Sequence, residues 1–159
     1  MTHDYGVFRV RPARPEDAAA LAPKLRQADL QEIEAGSGKP PLEVLETGLR
    51  LSTQSYAAEL PSGEVVALFG VGPTAEPKLG AVWMLGSDHL KTIRFTVLRH
   101  AKTWLNTLSD SYPLLGNVVD ARNTLHVEWL RWMGFRFLRR ARLGRNGEEF
   151  FEFVKLHSR

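Results

Sequence analysis

The stretch VVDARNTLHVEWLRWMGFRF, from Val118 to Phe137, decides the fold. Val118 and Val119 read as the close of a buried strand. Asp120 and Asn123 are N-cap residue types, able to accept bonds from the unpaired N–H groups of a helix start. Leu125, Trp129, Trp132 and Met133 then recur at helical spacing and predict one apolar helix face. Thr124, Glu128 and Arg131 fall on the opposite side. Gly134 stands where a left-handed helix end is wanted, and Phe135-Arg136-Phe137 resumes an extended alternation. The stretch therefore reads as strand, helix, strand.

The flanking chain extends this pattern. Phe8 and Val10 alternate with Arg9 and Arg11 in a half-buried strand that Pro12 ends. Pro15-Glu16-Asp17 opens a helix with proline and acids where a first turn favours them. Ala18, Leu21, Ala22 and Leu25 give its apolar face, and Pro23 is predicted to break or kink it. A second helical piece follows from Asp29 to Ala35. Gly36 to Pro41 is a loop, and prolines after Lys39 exclude a phosphate-cradling P-loop there. A short amphipathic helix runs from Leu42 to about Leu51. Tyr56–Leu60 and Val65–Val71 flank the turn Pro61-Ser62-Gly63-Glu64 as a hairpin. Ala81–Leu85 is an apolar run ending at Gly86, a central strand. Ser87 is predicted to cap the longest helix, from about Asp88 to Leu108, with Leu90, Ile93, Val97, Ala101, Trp104, Leu105 and Leu108 inward. Tyr112-Pro113 turns the chain into the strand Leu114–Val119, and the last strand is Phe150–Leu156. Strands joined both by a hairpin and by helices imply an α/β (α+β) fold with a mixed sheet covered by helices.

Bulk properties narrow the function. The 159 residues suit a single domain spanning the chain, and 43% hydrophobic with 25% charged residues allows a sizeable core. The absence of cysteine excludes disulfides, thiolate metal sites and a cysteine nucleophile. No apolar run approaches membrane-spanning length, so no membrane association is expected. The net charge of +3 is mild, and much of the excess lies in Arg136, Arg139, Arg140, Arg142 and Arg145. These read as solvated surface at strand ends. No zinc-finger or RNP-like pattern accompanies them, so nucleic acid is not the expected partner.

The element order, together with Asn123-Thr124-Leu125-His126-Val127-Glu128-Trp129-Leu130-Arg131-Trp132-Met133-Gly134-Phe135, resembles the GNAT N-acyltransferase superfamily. The opening RPARPEDAAAL is similar to that family's first strand and helix. The resemblance implies a mostly antiparallel central sheet of six to seven strands flanked by helices. It also implies acetyl-CoA held between the fourth and fifth strands, with no metal. PEDAAALAPKLRQADLQEIEA, the Val-Ala-Leu-Phe-Gly strand, Trp83 to Gly86 and VVDARNTLHVEWLRWMGF resemble more closely a phage-encoded GNAT-like group, named after an internal virion protein of short-tailed phages. That narrower resemblance implies phage or host proteins as partners, in the host cytoplasm or the virion, with the oligomeric state left open.

The family chemistry, as the resemblance implies it, needs amides at a helix start for the CoA pyrophosphate, a base for the amine and a proton donor for the thiolate. The corresponding loop is Leu85-Gly86-Ser87-Asp88-His89-Leu90. It has one glycine, Asp88 would repel phosphate, and Ser87 with Lys91 and Arg94 is expected to substitute in part. Leu85, Gly86, Ser87 and Asn123 are the candidate cofactor-binding residues. The usual tyrosine position is Leu130, which cannot donate a proton. The catalytic residues stay unassigned. Asp120 is the candidate base, Glu59 and His126 are weaker ones, His126 is expected at the surface, and no metal ligand is expected. Two functions follow. One is a GNAT-like protein that has lost acetyl-CoA chemistry and acts as a virion-associated or host-protein-binding factor. The alternative is an active N-acetyltransferase acting on an amine of a protein or small molecule.

Overall fold

A computed structural model describes residues 2–157. The chain runs β1 (His3–Asp4), β2 (Arg9–Pro12), α1 (Glu16–Leu21), a 3-10 turn (Ala22–Lys24), α2 (Gln27–Gly36), α3 (Pro41–Leu51), β3 (Gln54–Glu59), β4 (Val65–Pro73) and β5 (Leu79–Gly86). It continues with α4 (His89–Thr92), α5 (Arg94–Leu108), β6 (Leu114–Asp120), α6 (Thr124–Trp132), β7 (Arg136–Ala141) and β8 (Phe150–Leu156). Pro23 lies in the 3-10 turn and ends α1 as its missing N–H demands.

The strands form one eight-stranded sheet in the order β1-β2-β3-β4-β5-β6-β8-β7, one more than the upper expectation because the two-residue β1 joins the edge. Every neighbouring pair is antiparallel except β5–β6, which α4 and α5 connect as a parallel crossover. Leu21, Leu45, Ala57, Leu68 and Leu85 pack beneath α1, α2 and α3 on one face. Val10, Phe69, Leu105, Leu115, Leu130 and Phe153 pack beneath α5 and α6 on the other.

Three expectations are corrected. The long helix from Asp88 to Leu108 is two helices. Ser87 Oγ accepts the His89 N–H at 3.3 Å and starts only the short α4. Ile93 then leaves helical geometry at φ −108°, ψ 8° with its side chain buried, and α5 starts afresh at Arg94. Trp132 is 65% exposed rather than part of the buried stripe. The buried residues of α6 are His126, Val127, Trp129 and Leu130, because polar partners below the helix draw His126 inward. Val118 is 37% exposed although it sits in an interior strand, and the reason lies in the site described below.

Gly134 adopts φ +91°, the left-handed end that α6 was expected to need. Gly80 is required for space. A Cβ there would lie 2.6 Å from both the Tyr112 ring and Val71 Cγ2. Gly80→Ala is expected to destabilise the protein by about 1–3 kcal/mol through overpacking, read as a lower urea midpoint at unchanged m-value.

Candidate active site

β5 and β6 pair only where Leu79, Gly80 and Ala81 face Leu114, Leu115 and Gly116. Beyond that point both strands continue, but apart. The cause is a side chain. Leu114 N–H donates to Lys78 C=O at 3.1 Å, and a parallel ladder repeats such rungs every second residue. The rung from Val118 N–H to Val82 C=O is replaced by the Asn117 amide. Its Oδ1 accepts the Val118 N–H at 2.8 Å, and its Nδ2 donates to Val82 C=O at 2.9 Å. One inserted amide thus wedges the strands open, and it leaves Asn117 and Val118 exposed in an interior strand.

The far end of the gap is closed by the segment around α2. Arg26 N–H donates to Gly86 C=O at 2.9 Å, and Gly86 N–H donates to Asp29 Oδ2 at 2.9 Å. Backbone groups of a strand alternate in direction, so Met84, between Val82 and Gly86, also turns its N–H and C=O into the gap. A cavity of about 460 Å³ passes through here, lined by Glu32 and Gly48 on the α2–α3 side, by Met84 and Asn117 in the gap, and by Leu130 and Trp104 beyond it. Trp83 does not plug the gap. Its Nε1–H donates to Ser52 Oγ at 2.8 Å, and its ring lies against Gly48, forming the wall on the α3 side.

Asp29 and Glu32 stand three residues apart on α2, hence on one helix face. They hold the two diverging strands. Asp29 takes Gly86 N–H at the end of β5, and Glu32 Oε1 takes Asp120 N–H at 2.9 Å at the end of β6. Asn123 joins the two acids, with Nδ2 at 2.9 Å from Asp29 Oδ1 and 3.3 Å from Glu32 Oε1. Arg26, 4% exposed, supplies the countercharge by donating to Asp29 Oδ1 at 3.2 Å and Asn123 Oδ1 at 3.2 Å. Its third contact is His126 Nε2 at 3.3 Å. His126 Nδ1 lies 3.2 Å from Asn123 Nδ2, so both ring nitrogens face groups that only donate. Burial holds the His126 pKa below its ordinary value, against the pull of Asp29 and with the help of Arg26.

Glu32 is the carboxyl of this cluster moved toward neutrality. Burial, with Asp29 and Asp120 close by, pushes its carboxyl up to about 7, and it lines the cavity. A carboxyl near neutrality inside a cleft can take and return protons at working pH. The sequence reading missed it. A signal existed, because Asp29 is one helical turn from the apolar Ile33, which places an acid on the inward face of α2.

The residues singled out from sequence take varied places. Leu85 is buried and lines the cavity. Gly86 N–H is held by Asp29, and Ser87 N–H donates to Val66 C=O. His89, Leu90 and Lys91 also have internal acceptors for their N–H groups. The α5 start carries no acid in its first turn, with Arg94 at its head and Lys91 just before it. Asn123 occupies the N-cap position of α6 without a side-chain cap bond, because its amide is spent on Asp29, Glu32 and Arg26. Asp120 is 1% exposed and bound by Arg122 through Nη2 at 2.7 Å and Nε at 3.0 Å. Burial raises its pKa, but the Arg122 bonds outweigh that and lower it, the wrong direction for a base at neutral pH. Glu59, on β3 and two strands away from β5, is held by Arg9 and Arg11. His126, expected at the surface, is buried for the reason just given. Leu130 is buried and lines the cavity. Among the described residues no cluster of acids or histidines is arranged to hold a metal, and no helix is long and apolar enough to cross a membrane.

The fold is that of GNAT acetyltransferases. A GNAT-family acetyltransferase from Streptococcus pneumoniae superposes with a TM-score of 0.69, at 18% identity, over 95% of this chain and 99% of that one. A GCN5-related N-acetyltransferase from Kribbella flavida gives 0.70 at 13% identity over 97% and 100% of the two chains. Ard1 from Thermoplasma volcanium gives 0.72 at 11% identity over 96% and 99%. No family model matches the sequence, and no curated protein does. Similarity at these identities speaks for architecture alone.

Proposed function

We propose that the protein is an N-acyltransferase that moves an acyl group from a CoA thioester to an amine, with donor and amine meeting in the gap between β5 and β6. The observation that carries this reading is the juxtaposition, on one cavity, of the Glu32 carboxyl at about 7 and the gap-facing backbone of Met84. Glu32 takes the proton of the attacking amine, directly or through water. Met84 N–H is a fixed donor placed to stabilise negative charge on a carbonyl oxygen in the gap. The wedge at Asn117 keeps that backbone free of β6.

The CoA portion fits in part. A bound CoA thioester supplies the activated acyl group. Its thioester arm suits the gap, whereas the loop amides from Gly86 to Lys91 are already bonded, so its phosphates would fall to Lys91, Arg94 and the start of α5. As the C–N bond forms and the C–S bond breaks, Leu130 supplies no proton, so the CoA thiolate leaves as the anion and is protonated by water or by the proton Glu32 has taken.

A second reading has its own support. Capture of Gly86 N–H by Asp29 and a leucine at position 130 suit a protein that has left acyl transfer and binds phage or host proteins, as the narrower resemblance implied. Calorimetric titration with acyl-CoA separates the two. The acyltransferase reading expects one-to-one binding in the micromolar range. Absence of heat with every donor at millimolar concentration would sink it and leave the binding role.

A further inference from the structure

We infer that the acyl group carried by the donor is a long apolar chain rather than acetyl; this rests on the acyltransferase reading and names its substrate class. The cavity does not end where the thioester would sit. From the gap it continues between α5 and the sheet, past Met84, Ala67 and Ala101, to a far wall of Tyr5, Phe8 and Trp104. That wall is mainly aromatic, with His100 as its polar member. Trp104 Nε1–H donates to the Tyr5 hydroxyl at 2.8 Å, and the Tyr5 ring is covered by His100 at 4.2 Å between centroids. Three further polar groups on the cavity, Glu32, Asn117 and His126, gather at its other end.

Such a space selects an occupant with one reactive polar end and an apolar tail. An acetyl group would reach the gap and leave the α5 side of the cavity unfilled. A chain extending from the same thioester would bury methylenes against Met84, Ala101 and Trp104, each worth roughly fourfold in affinity when fully buried. Small residues keep the path clear, since Ala67 and Ala101 are both buried and both line it.

The test compares acetyl-CoA with octanoyl-CoA by calorimetry on the full chain. Octanoyl-CoA is expected to bind at least about 100-fold more tightly. In Ala101→Phe, whose ring fills the path, the two donors are expected to bind alike. Equal affinities in the wild type overturn the long-chain inference while leaving the acyltransferase reading intact. A preference that persists in Ala101→Phe removes the assigned path. Failure of both donors to bind removes both readings. The wild-type comparison decides the question even if the variant does not fold.

Discussion

Glu32→Gln is expected to lower kcat for amine-dependent thiol release by about 10²–10⁴-fold, with little change in KM for the donor. Glutamine keeps the shape and still accepts the Asp120 N–H, so the network is preserved while the base is lost. The pH profile distinguishes this from a structural effect. In the wild type the rate should rise with pH through about 7 as the carboxyl ionises, and that inflection should vanish in the variant. Stability should respond in the opposite sense. Glu32 binds its proton more tightly folded than unfolded, so its contribution is complete below about 4.5 and is lost as pH rises to about 7. Asp17, Glu59 and Asp120 have lowered pKa values, so their contribution is present above the ordinary carboxylate range and is lost on acidification. Thermal melts of Glu32→Gln against wild type between pH 5 and 8 isolate the first term from the others.

Asp29→Ala is expected to cost about 3–5 kcal/mol, the largest loss of stability at the site. The side chain is fully buried, and three groups depend on it. Arg26 would keep a buried charge without its carboxylate partner, Gly86 N–H would lose its acceptor, and Asn123 would lose one of two. The variant also separates two roles of one residue. The cavity can open toward the freed amide at Gly86, so the folded fraction of Asp29→Ala should bind free CoA more tightly than the wild type does. Chemical denaturation measures the first effect and calorimetry the second. A loss below about 1 kcal/mol would mean that Arg26 finds solvent or another partner, contrary to its burial.

The split between what was readable in sequence and what was not follows the range of the interactions. Phe150–Leu156 forms a strand, Pro23 breaks a helix and Gly134 ends one, each at the expected place. That the sheet is mixed followed from how helices and turns link the strands, whereas its strand order comes from the structure. The site depended on pairings far apart in sequence. Asp29 meets Asn123 across 94 positions and Arg26 meets His126 across 100, and no local pattern encodes either. Asn123 carries a capping residue type, yet stronger demand from a buried carboxylate diverted its amide. Val118 reads as strand interior, and it is exposed because Asn117, its neighbour, replaces a backbone rung. Leu130 was read only as the position where the resemblance wants a tyrosine, and its burial in the α6 face was not foreseen.

A thioester held in the gap between β5 and β6 would lie against backbone amides of both strands. The most direct measurement is the backbone amide spectrum of labelled protein during titration with octanoyl-CoA. The expected result is that the largest shifts fall on Trp83 to Gly86 and on Asn117 to Val119, with Met84 foremost, and saturate at one equivalent. Shifts confined to the α5 start or to the outer strands β7 and β8, with Met84 unmoved, would contradict it.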